Sequence, residues 1–219
     1  RMHILPPGIS RDRIAPDNAD EIRSAKRAEL GLANDDKLVL FVGSGFIKKG
    51  LRRAILAVDA LPRKLRKKTR FIVIGEDKDE PYQRMIRRLG LRDTVKIIGG
   101  SNDVPRFLLA ADLLLHPASD ENAGMVLLEA MVAGLPVLAT AVCGYGHYIQ
   151  QAEMGDLIPS PFSQETLNRK LQQMLEQDRR EEWVRKGRAF AESADIYSLP
   201  EKAADFIERV THQRCRRAA

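Results

Sequence analysis

Two glutamates in the stretch "DENAGMVLLEAMVAGLPV" (residues 120–137) are the side chains whose type and spacing most clearly indicate chemistry. Glu121 and Glu129 lie eight positions apart, separated by a glycine and an apolar run with helical spacing. At about 100° per residue, Leu127 and Met131 lie on one side of this helix and can pack on a core. Glu129 lies on the other side, so the pattern predicts a helix that turns an acid toward a cleft.

The first turn of this helix is predicted to bind an anion, because its backbone N–H groups lack helical partners and the helix dipole favours negative charge there. These groups belong to Asn122, Ala123, Gly124, Met125 and Val126. Glu121 precedes the helix and Glu129 leans back toward its start, so the two carboxylates converge. A ligand with hydroxyl pairs on either side of a phosphate fits. The alternative is an acid that merely favours the dipole, with Glu129 exposed to solvent.

A second glycine-containing stretch, "VGSGFIKKG" (residues 42–50), follows a predicted strand. It lacks the G-x-G-x-x-G spacing of a dinucleotide site, and the Lys-Ser/Thr that completes a P-loop is replaced by Leu-Arg. What remains is a turn in which Ser44 and Gly45 allow a ligand to approach the backbone, while Lys48 and Lys49 supply charge for phosphate. The alternative is a tight turn with solvated lysines.

Metal coordination is not indicated by the spacing of ligand side chains. Asp77 and Asp79 flank a lysine in a charged loop, and one short acidic pair is too few ligands for a divalent cation. Neither His116 nor His147 has a second His or Cys at zinc spacing. The sequence therefore predicts no metal site, and His116 could instead form a hydrogen bond at the rim of the site.

Short apolar runs alternate with helical patterns over residues 38–140, which predicts a parallel sheet covered on both faces, a doubly wound, Rossmann-like α/β fold. The predicted strands are 38–45, 70–76, 95–100, 112–117 and 135–140. The predicted helices between them are 51–61, 81–89, 104–111 and 124–133. Three further helices, 164–175, 179–194 and 199–210, form a helical C-terminal segment, 163–212. Ligands of such folds bind outside the carboxyl ends of the strands.

The net charge of +6 suits nucleic acid, an anionic membrane or a phosphorylated ligand, but aromatic residues make up only 5% of the chain and argue against a base-stacking surface. The densest basic run, residues 63–70, is predicted to be a solvated loop between a helix and a strand; the alternative is contact with anionic lipid head groups.

No apolar run approaches the roughly 20 residues that span a bilayer. Two cysteines, Cys143 and Cys215, fit a reducing, cytoplasmic setting.

Several motifs together resemble one enzyme family. "ENAGMVLLE" resembles the E-x7-E motif of family-4 retaining glycosyltransferases of the GT-B fold, and "LPPGISRDR", "VGSGFIKKG" and "DIYSLPEKAAD" resemble family segments in the same order. The resemblance covers nearly the whole chain and is greatest to members that glucosylate the inner core of bacterial lipopolysaccharide. It implies that residues 1–219 are one nucleotide-sugar (donor) binding domain, the C-terminal half of the enzyme. The N-terminal acceptor domain would be absent from the chain.

The resemblance also implies roles for individual residues. The catalytic residues would be Glu121, at the hydroxyls of the donor sugar, and Lys49 with Arg13, which would neutralise the diphosphate. Glu129 would hold the ribose, and residues 122–126 would meet the sugar and diphosphate. Val104 would flank uracil. One departure is Ser119, at a position where the family often has an aromatic residue.

The activity implied is transfer of glucose from UDP-glucose to a heptose of the lipopolysaccharide core, with retention of configuration and without a metal or other cofactor. The acceptor would be bound through the missing domain, so the isolated chain is expected to be inactive. Nucleic acid is not expected as a partner, and the location would be cytoplasmic, either free or peripheral on the inner membrane. The alternatives are a nucleotide-sugar-binding module and a UDP-sugar epimerase of the same fold.

Overall fold

Six parallel strands form one sheet at the centre of the computed structural model, which describes residues 5–177 and 179–218, with side chains as far as residue 211. The strands are β1 (Lys37–Val42), β2 (Thr69–Ile74), β3 (Val95–Ile97), β4 (Leu113–His116), β5 (Val137–Thr140) and β6 (Gly155–Ile158). Their order in the sheet is β3-β2-β1-β4-β5-β6, and all pairs are parallel. The doubly wound α/β fold predicted from the sequence is confirmed.

The helices cover both faces of this sheet. They are α1 (Ala19–Glu29), α2 (Leu51–Asp59), α3 (Arg63–Lys67), α4 (Glu80–Arg88), α5 (Val104–Ala110), α6 (Met125–Val132), α7 (Gly146–Gln151), α8 (Gln164–Glu176), α9 (Arg180–Ser193) and α10 (Leu199–Ala218). One buried cluster joins the sheet to α5, α6 and α9, and a second joins its other face to α2, α4 and α8. The fully buried strand residues explain why the strands are continuous apolar runs.

The sequence patterns did not predict α1, α7 or β6. Helix α1 buries Lys26 and Arg27 instead of an apolar stripe. The ammonium of Lys26 lies 2.7 Å from a carboxylate oxygen of Asp103, and the guanidinium of Arg27 lies 3.0 Å from one of Asp112. Strand β6 is a half-exposed edge strand of four residues. Neither α1 nor β6 has the apolar periodicity by which helices and strands are recognised.

The basic run at residues 63–70 was predicted to be a loop, and this prediction is wrong. Residues Arg63–Lys67 form the short helix α3, with Pro62 as its N-cap residue. The Arg66 guanidinium lies 3.1 Å from a carboxylate oxygen of Asp59, and Lys68 is paired with Asp35. Arg63, Lys64 and Lys67 remain exposed on this helix.

The C-terminal segment is helical, as predicted, and packs back on the sheet-covering helices. Trp183 and Phe190 of α9 are buried in the cluster that contains α6. Gly187 of α9 lies against the carbonyl of Met131, where a Cβ atom would collide with the backbone. Among the described residues, none of the helices has both the length and the apolar character needed to cross a bilayer.

The strand order reverses between β1 and β4, which are neighbours in the sheet but distant in the chain. The loops that follow these two strands therefore leave the same edge of the sheet side by side. Such a reversal is the place where ligands of doubly wound folds bind. It is formed here by the two stretches singled out in the sequence, residues 43–50 and 117–124.

Candidate functional site

The loops after β1 and β4 are hydrogen-bonded to each other. The carbonyl of Lys48 accepts hydrogen bonds from the backbone N–H groups of Ser119 (2.7 Å) and Asp120 (3.4 Å). Gly50 has a φ of 77° and lies so close to the carbonyl of Pro117 that a Cβ atom would overlap it. The sequence needs glycine at this position both for the backbone angle and for the approach of the second loop.

A third loop, after β5, completes this edge and was not predicted as part of the site. The N–H of Gly144 donates to the carbonyl of Glu121 at 3.2 Å, and the N–H of Tyr145 donates to the carbonyl of Ala123 at 2.9 Å. These two bonds fix the backbone on both sides of Asn122. The sequence signal was the pair of glycines in "GYG" (residues 144–146) directly after the fifth strand.

The start of α6 has the sharp turn and the backbone donors on which the predicted anion site depends, and binding of an anion there stays a prediction. Gly124 adopts a left-handed conformation with φ 87° and begins α6, so the chain turns sharply into the helix. Within the described part of the chain, the backbone N–H groups of residues 122–126 donate to no protein acceptor. Five N–H groups are thus available at a helix N-terminus, where the dipole adds positive potential.

Glu121 is held by two donors that meet on one carboxylate oxygen. The ammonium of Lys49 donates to Oε2, and Nε2 of His116 lies 3.2 Å from the same atom. The hydrogen bond with His116 is the largest influence on the pKa of Glu121 and, together with Lys49, lowers it to about 2 in spite of burial. The carboxylate, only 10% exposed, is therefore charged at any physiological pH.

Glu129 faces away from the core, as predicted. Leu127 and Met131 are fully buried, whereas the Glu129 side chain is 24% exposed and its Oε1 lies 3.8 Å from Nε of Arg13. Arg13 belongs to the 3-10 helix Arg11–Arg13, which precedes α1. The structure thus brings Arg13 to Glu129 and Lys49 to Glu121, forming two acid–cation pairs.

The other predicted site residues lie on the same edge with different surroundings. Lys48 is exposed and lies 3.5 Å from a carboxylate oxygen of Asp120. The hydroxyl of Ser44 accepts a hydrogen bond from the N–H of Glu76 at 3.0 Å, and Gly45 has open space around it. Val104 is the first residue of α5 and packs half-buried against the larger core cluster. The described contacts do not join Val104 to either glutamate.

The acidic loop after β2 has a structural role in the described contacts. Asp77 accepts a hydrogen bond from the N–H of Phe46 at 2.7 Å, which ties this loop to the loop after β1. Asp79 accepts from the amide of Gln83 at 2.9 Å. In the part of the chain that the structure describes, no three His, Cys, Asp or Glu side chains come together in a group that could hold a metal.

A separate pocket of about 210 Å³ lies at the opposite edge of the sheet, next to the start of β1 and near Asp112 and Pro136. Arg23 and Arg180 are two of the cations that line it, and the hydrogen bonds of Arg23 are made within the protein. The guanidinium donates to the carbonyls of residues 109–111 and to Asp112. None of the residues predicted to do chemistry lines this pocket.

Comparisons with known proteins show the family to which the chain belongs. A sequence model of the family described as glycosyl transferases group 1 matches residues 22–190. The lipopolysaccharide glucosyltransferase WaaG of Escherichia coli is 48% identical over 208 residues, which are 94% of this chain and 56% of that protein. A D-inositol 3-phosphate glycosyltransferase of Xylanimonas cellulosilytica is 32% identical over 156 residues, 66% of this chain and 36% of that protein. The chain thus spans little more than half of the E. coli relative.

Solved structures show the same fold. A crystal structure of WaaG, described as a glycosyltransferase involved in lipopolysaccharide biosynthesis, superposes with a TM-score of 0.88 at 48% identity and covers 94% of this chain and 56% of that one. An Anabaena protein, HepE, described in complex with UDP-glucose, has a TM-score of 0.80 at 24% identity, with 94% and 57% coverage. At 24% identity, the similarity to HepE shows the fold alone.

Proposed function

The chain belongs to the group 1 glycosyl transferases, and we propose that it is the donor-binding half of a retaining glucosyltransferase that acts on the lipopolysaccharide core. The donor in this proposal is UDP-glucose and the acceptor is a heptose bound by a second domain. The observation that carries the proposal is the edge at the β1/β4 reversal. Five N–H groups that have no acceptor among the described residues lie at this edge with two cations and two carboxylates.

These groups match the parts of a nucleotide sugar. The N–H groups of residues 122–126 suit the diphosphate, because they supply donors and positive potential without a mobile charge. Glu129, on the exposed face of α6, suits the ribose hydroxyls, and Glu121, at the end of the loop, suits the hydroxyls of the sugar. Val104 would border the uracil from the start of α5. Ser44, Gly45 and Lys48 would line the β1 side of the same ligand.

The proposed reaction breaks the bond between the anomeric carbon and the diphosphate oxygen while the acceptor oxygen bonds to the same face of that carbon. The acceptor proton passes to the departing diphosphate oxygen. Retention in this form needs no carboxylate nucleophile, and Glu121, a poor base with a pKa of about 2, is suited to binding hydroxyls. The protein would then accelerate transfer by stabilising negative charge on the leaving UDP through Lys49, Arg13 and the helix start.

Both cations must change partners for this chemistry. Lys49 is paired with Glu121 and Arg13 with Glu129, so each cation is already held at the edge of the proposed diphosphate site. A diphosphate carries more charge than one carboxylate and would attract both cations. Each glutamate would then be free to accept hydroxyl hydrogen bonds from the sugar or the ribose.

Calorimetric titration of this chain with UDP, UDP-glucose and NAD tests the proposal. We expect UDP and UDP-glucose to bind, NAD not to bind, and Glu129→Gln to weaken UDP at least roughly threefold through the lost ribose contact. Binding of NAD, or of none of the three, would refute the proposed donor.

Conversion of UDP-glucose to another UDP-sugar by this chain alone, followed by proton NMR, would favour an epimerase. Nucleotide-sugar binding by the complete protein without transfer to an acceptor would favour a binding module.

The location remains a prediction. The cations of α3 that are exposed could contact anionic lipid head groups, which would place the protein on the inner membrane. Co-sedimentation with liposomes that is insensitive to the fraction of anionic lipid would refute this contact.

A further inference from the structure

His116 is the most completely enclosed polar side chain at the proposed donor site, and its ring position is fixed from several sides. It is the last residue of β4, it pairs in the sheet with Ala139, and its side chain has no solvent exposure. Its ring stacks on Phe41 of β1 with the centroids 6.2 Å apart and the planes inclined by 26°. Such a ring can neither rotate freely nor exchange its hydrogen bonds with water.

The contacts of the ring settle which nitrogen carries the proton. Nδ1 is buried and has no hydrogen-bond partner among the described residues, whereas Nε2 lies 3.2 Å from Oε2 of Glu121. A proton on Nδ1 would be a buried donor without an acceptor, which costs more free energy than an unpaired lone pair. The favoured arrangement is an Nε2–H group that donates to the Glu121 carboxylate.

Glu121 therefore accepts from His116 and from Lys49 on the same oxygen, Oε2. Within the described chain no residue donates to Oε1. The two donors differ in how easily they can move away from Glu121. Lys49 has a flexible side chain that is 25% exposed, whereas the His116 ring is fully buried. If Lys49 moves to a diphosphate, His116 is the donor that stays.

We infer that His116 is a positioning residue for the donor sugar: it holds Glu121 by Oε2 while Lys49 turns to the diphosphate, and so keeps Oε1 free to accept a sugar hydroxyl. This inference rests on the proposed function. It predicts that His116 affects binding of the sugar more strongly than binding of the nucleotide, because the N–H groups of residues 122–126 and Arg13, which would also bind the diphosphate, make no described contact with the imidazole.

Three variants of this chain test the inference by calorimetry with UDP and with UDP-glucose. His116→Phe keeps the ring stacked on Phe41 and removes the donor. His116→Gln places an amide N–H near the position of Nε2, whereas His116→Asn places it near Nδ1, out of reach of Glu121. The quantity compared is the Kd of UDP-glucose divided by the Kd of UDP, and the thermal midpoint of each variant reports on folding.

We expect His116→Phe to raise this ratio about tenfold, as loss of one charge-assisted hydrogen bond would, with a smaller change in the Kd of UDP itself. His116→Gln should restore the ratio to within about threefold of wild type, and His116→Asn should behave like His116→Phe. If His116→Phe does not fold, the ratio in His116→Gln compared with that in His116→Asn gives the same test. An equal loss for UDP and UDP-glucose, or an unchanged ratio in both His116→Phe and His116→Asn, would overturn the inference alone. A wild-type chain that binds neither ligand would overturn the proposed function and the inference with it.

Discussion

Lys49 and Glu121 form the central ion pair of the site, and their pairing has a direct consequence for ligand binding. Lys49 is 25% exposed and Glu121 only 10%, so the lysine is the partner that can move. A diphosphate at the start of α6 would draw the ammonium away from the carboxylate. Before a ligand binds, Glu121 would hold the Lys49 ammonium close to the diphosphate site. After binding, the same carboxylate would be available to accept hydrogen bonds from the sugar.

Lys49→Ala should weaken UDP binding by about tenfold or more, because a charge-assisted contact to phosphate contributes about 1.5–3 kcal/mol. Lys64→Ala is the matched control: it removes the same charge from the exposed surface of α3, outside the site. Calorimetry with UDP at one ionic strength compares the two. Equal small losses in both variants would assign the effect to net charge and remove Lys49 from the diphosphate site.

The lowered pKa of Glu121 predicts how the stability depends on pH. Its carboxyl has a pKa of about 2 in the folded protein against an ordinary value of 4.5. Between these values the unfolded chain binds a proton that the folded chain does not, so the free energy of unfolding falls as the pH is lowered. The stabilisation is complete above about pH 5 and is lost progressively toward pH 2.

Glu121→Gln should therefore lose less stability than the wild type between pH 5 and pH 3, because the titrating group is gone. Urea denaturation at the two pH values measures both changes. The variant is expected to be less stable at pH 5, where the Lys49 charge would lack its partner. Identical pH slopes in the two proteins would show that the carboxyl is not held by His116 and Lys49 as described.

The direction of Glu129 could be predicted from the sequence, since a 3.6-residue period alone separates it from the buried Leu127 and Met131. The bond from His116 to Glu121 could only be suggested. It depends on how the chain doubles back after β4, and that path is set by bonds to two other loops, at Lys48 and at Gly144. Contacts between loops have no signature in local spacing.

At the scale of elements, three loops and one helix start are locked together by backbone contacts. Helix α6 could be predicted because its buried face is apolar, while α1 could not because its buried face is charged and paired with Asp103 and Asp112. The short edge strand β6 also escaped prediction, since half of it is exposed. Periodicity finds an element only when burial of apolar surface is what stabilises it.

Gly50→Ala tests the lock between the loops after β1 and β4. Both Gly50 and Gly31 have left-handed backbones, with φ 77° and 67°, but only at Gly50 would a Cβ atom overlap a neighbour, the carbonyl of Pro117. Gly31→Ala should cost about 1–2 kcal/mol for the backbone angle alone. Gly50→Ala should lower the free energy of unfolding by at least about 1 kcal/mol more than Gly31→Ala, because of the collision with Pro117. It should also weaken UDP binding.

Urea denaturation of the two alanine variants and a UDP titration of each give the comparison. Equal losses of stability would mean that the second loop moves away without cost. In that case the approach of Pro117 to Gly50 would not be what sets the position of Lys49.

At the scale of the whole molecule, our proposal assigns to the described chain one side of a site. The residues that suit a nucleotide sugar all lie at one edge of one sheet, and the chain spans 56% of its E. coli relative. The acceptor side and the exclusion of water would come from a second domain that closes on this edge. The prediction that residues 1–219 form a single donor domain explains why nucleotide binding, rather than turnover, is the activity to measure first.

A crystal structure of the chain with UDP is the most direct test of the central claim. We predict the diphosphate at the start of α6, with phosphoryl oxygens about 3 Å from backbone N–H groups of residues 122–126 and from the ammonium of Lys49, and with the ribose hydroxyls on Glu129. Phosphates bound anywhere else, for example at Arg23 and Arg180 on the opposite edge of the sheet, with Lys49 still paired to Glu121, would contradict the account.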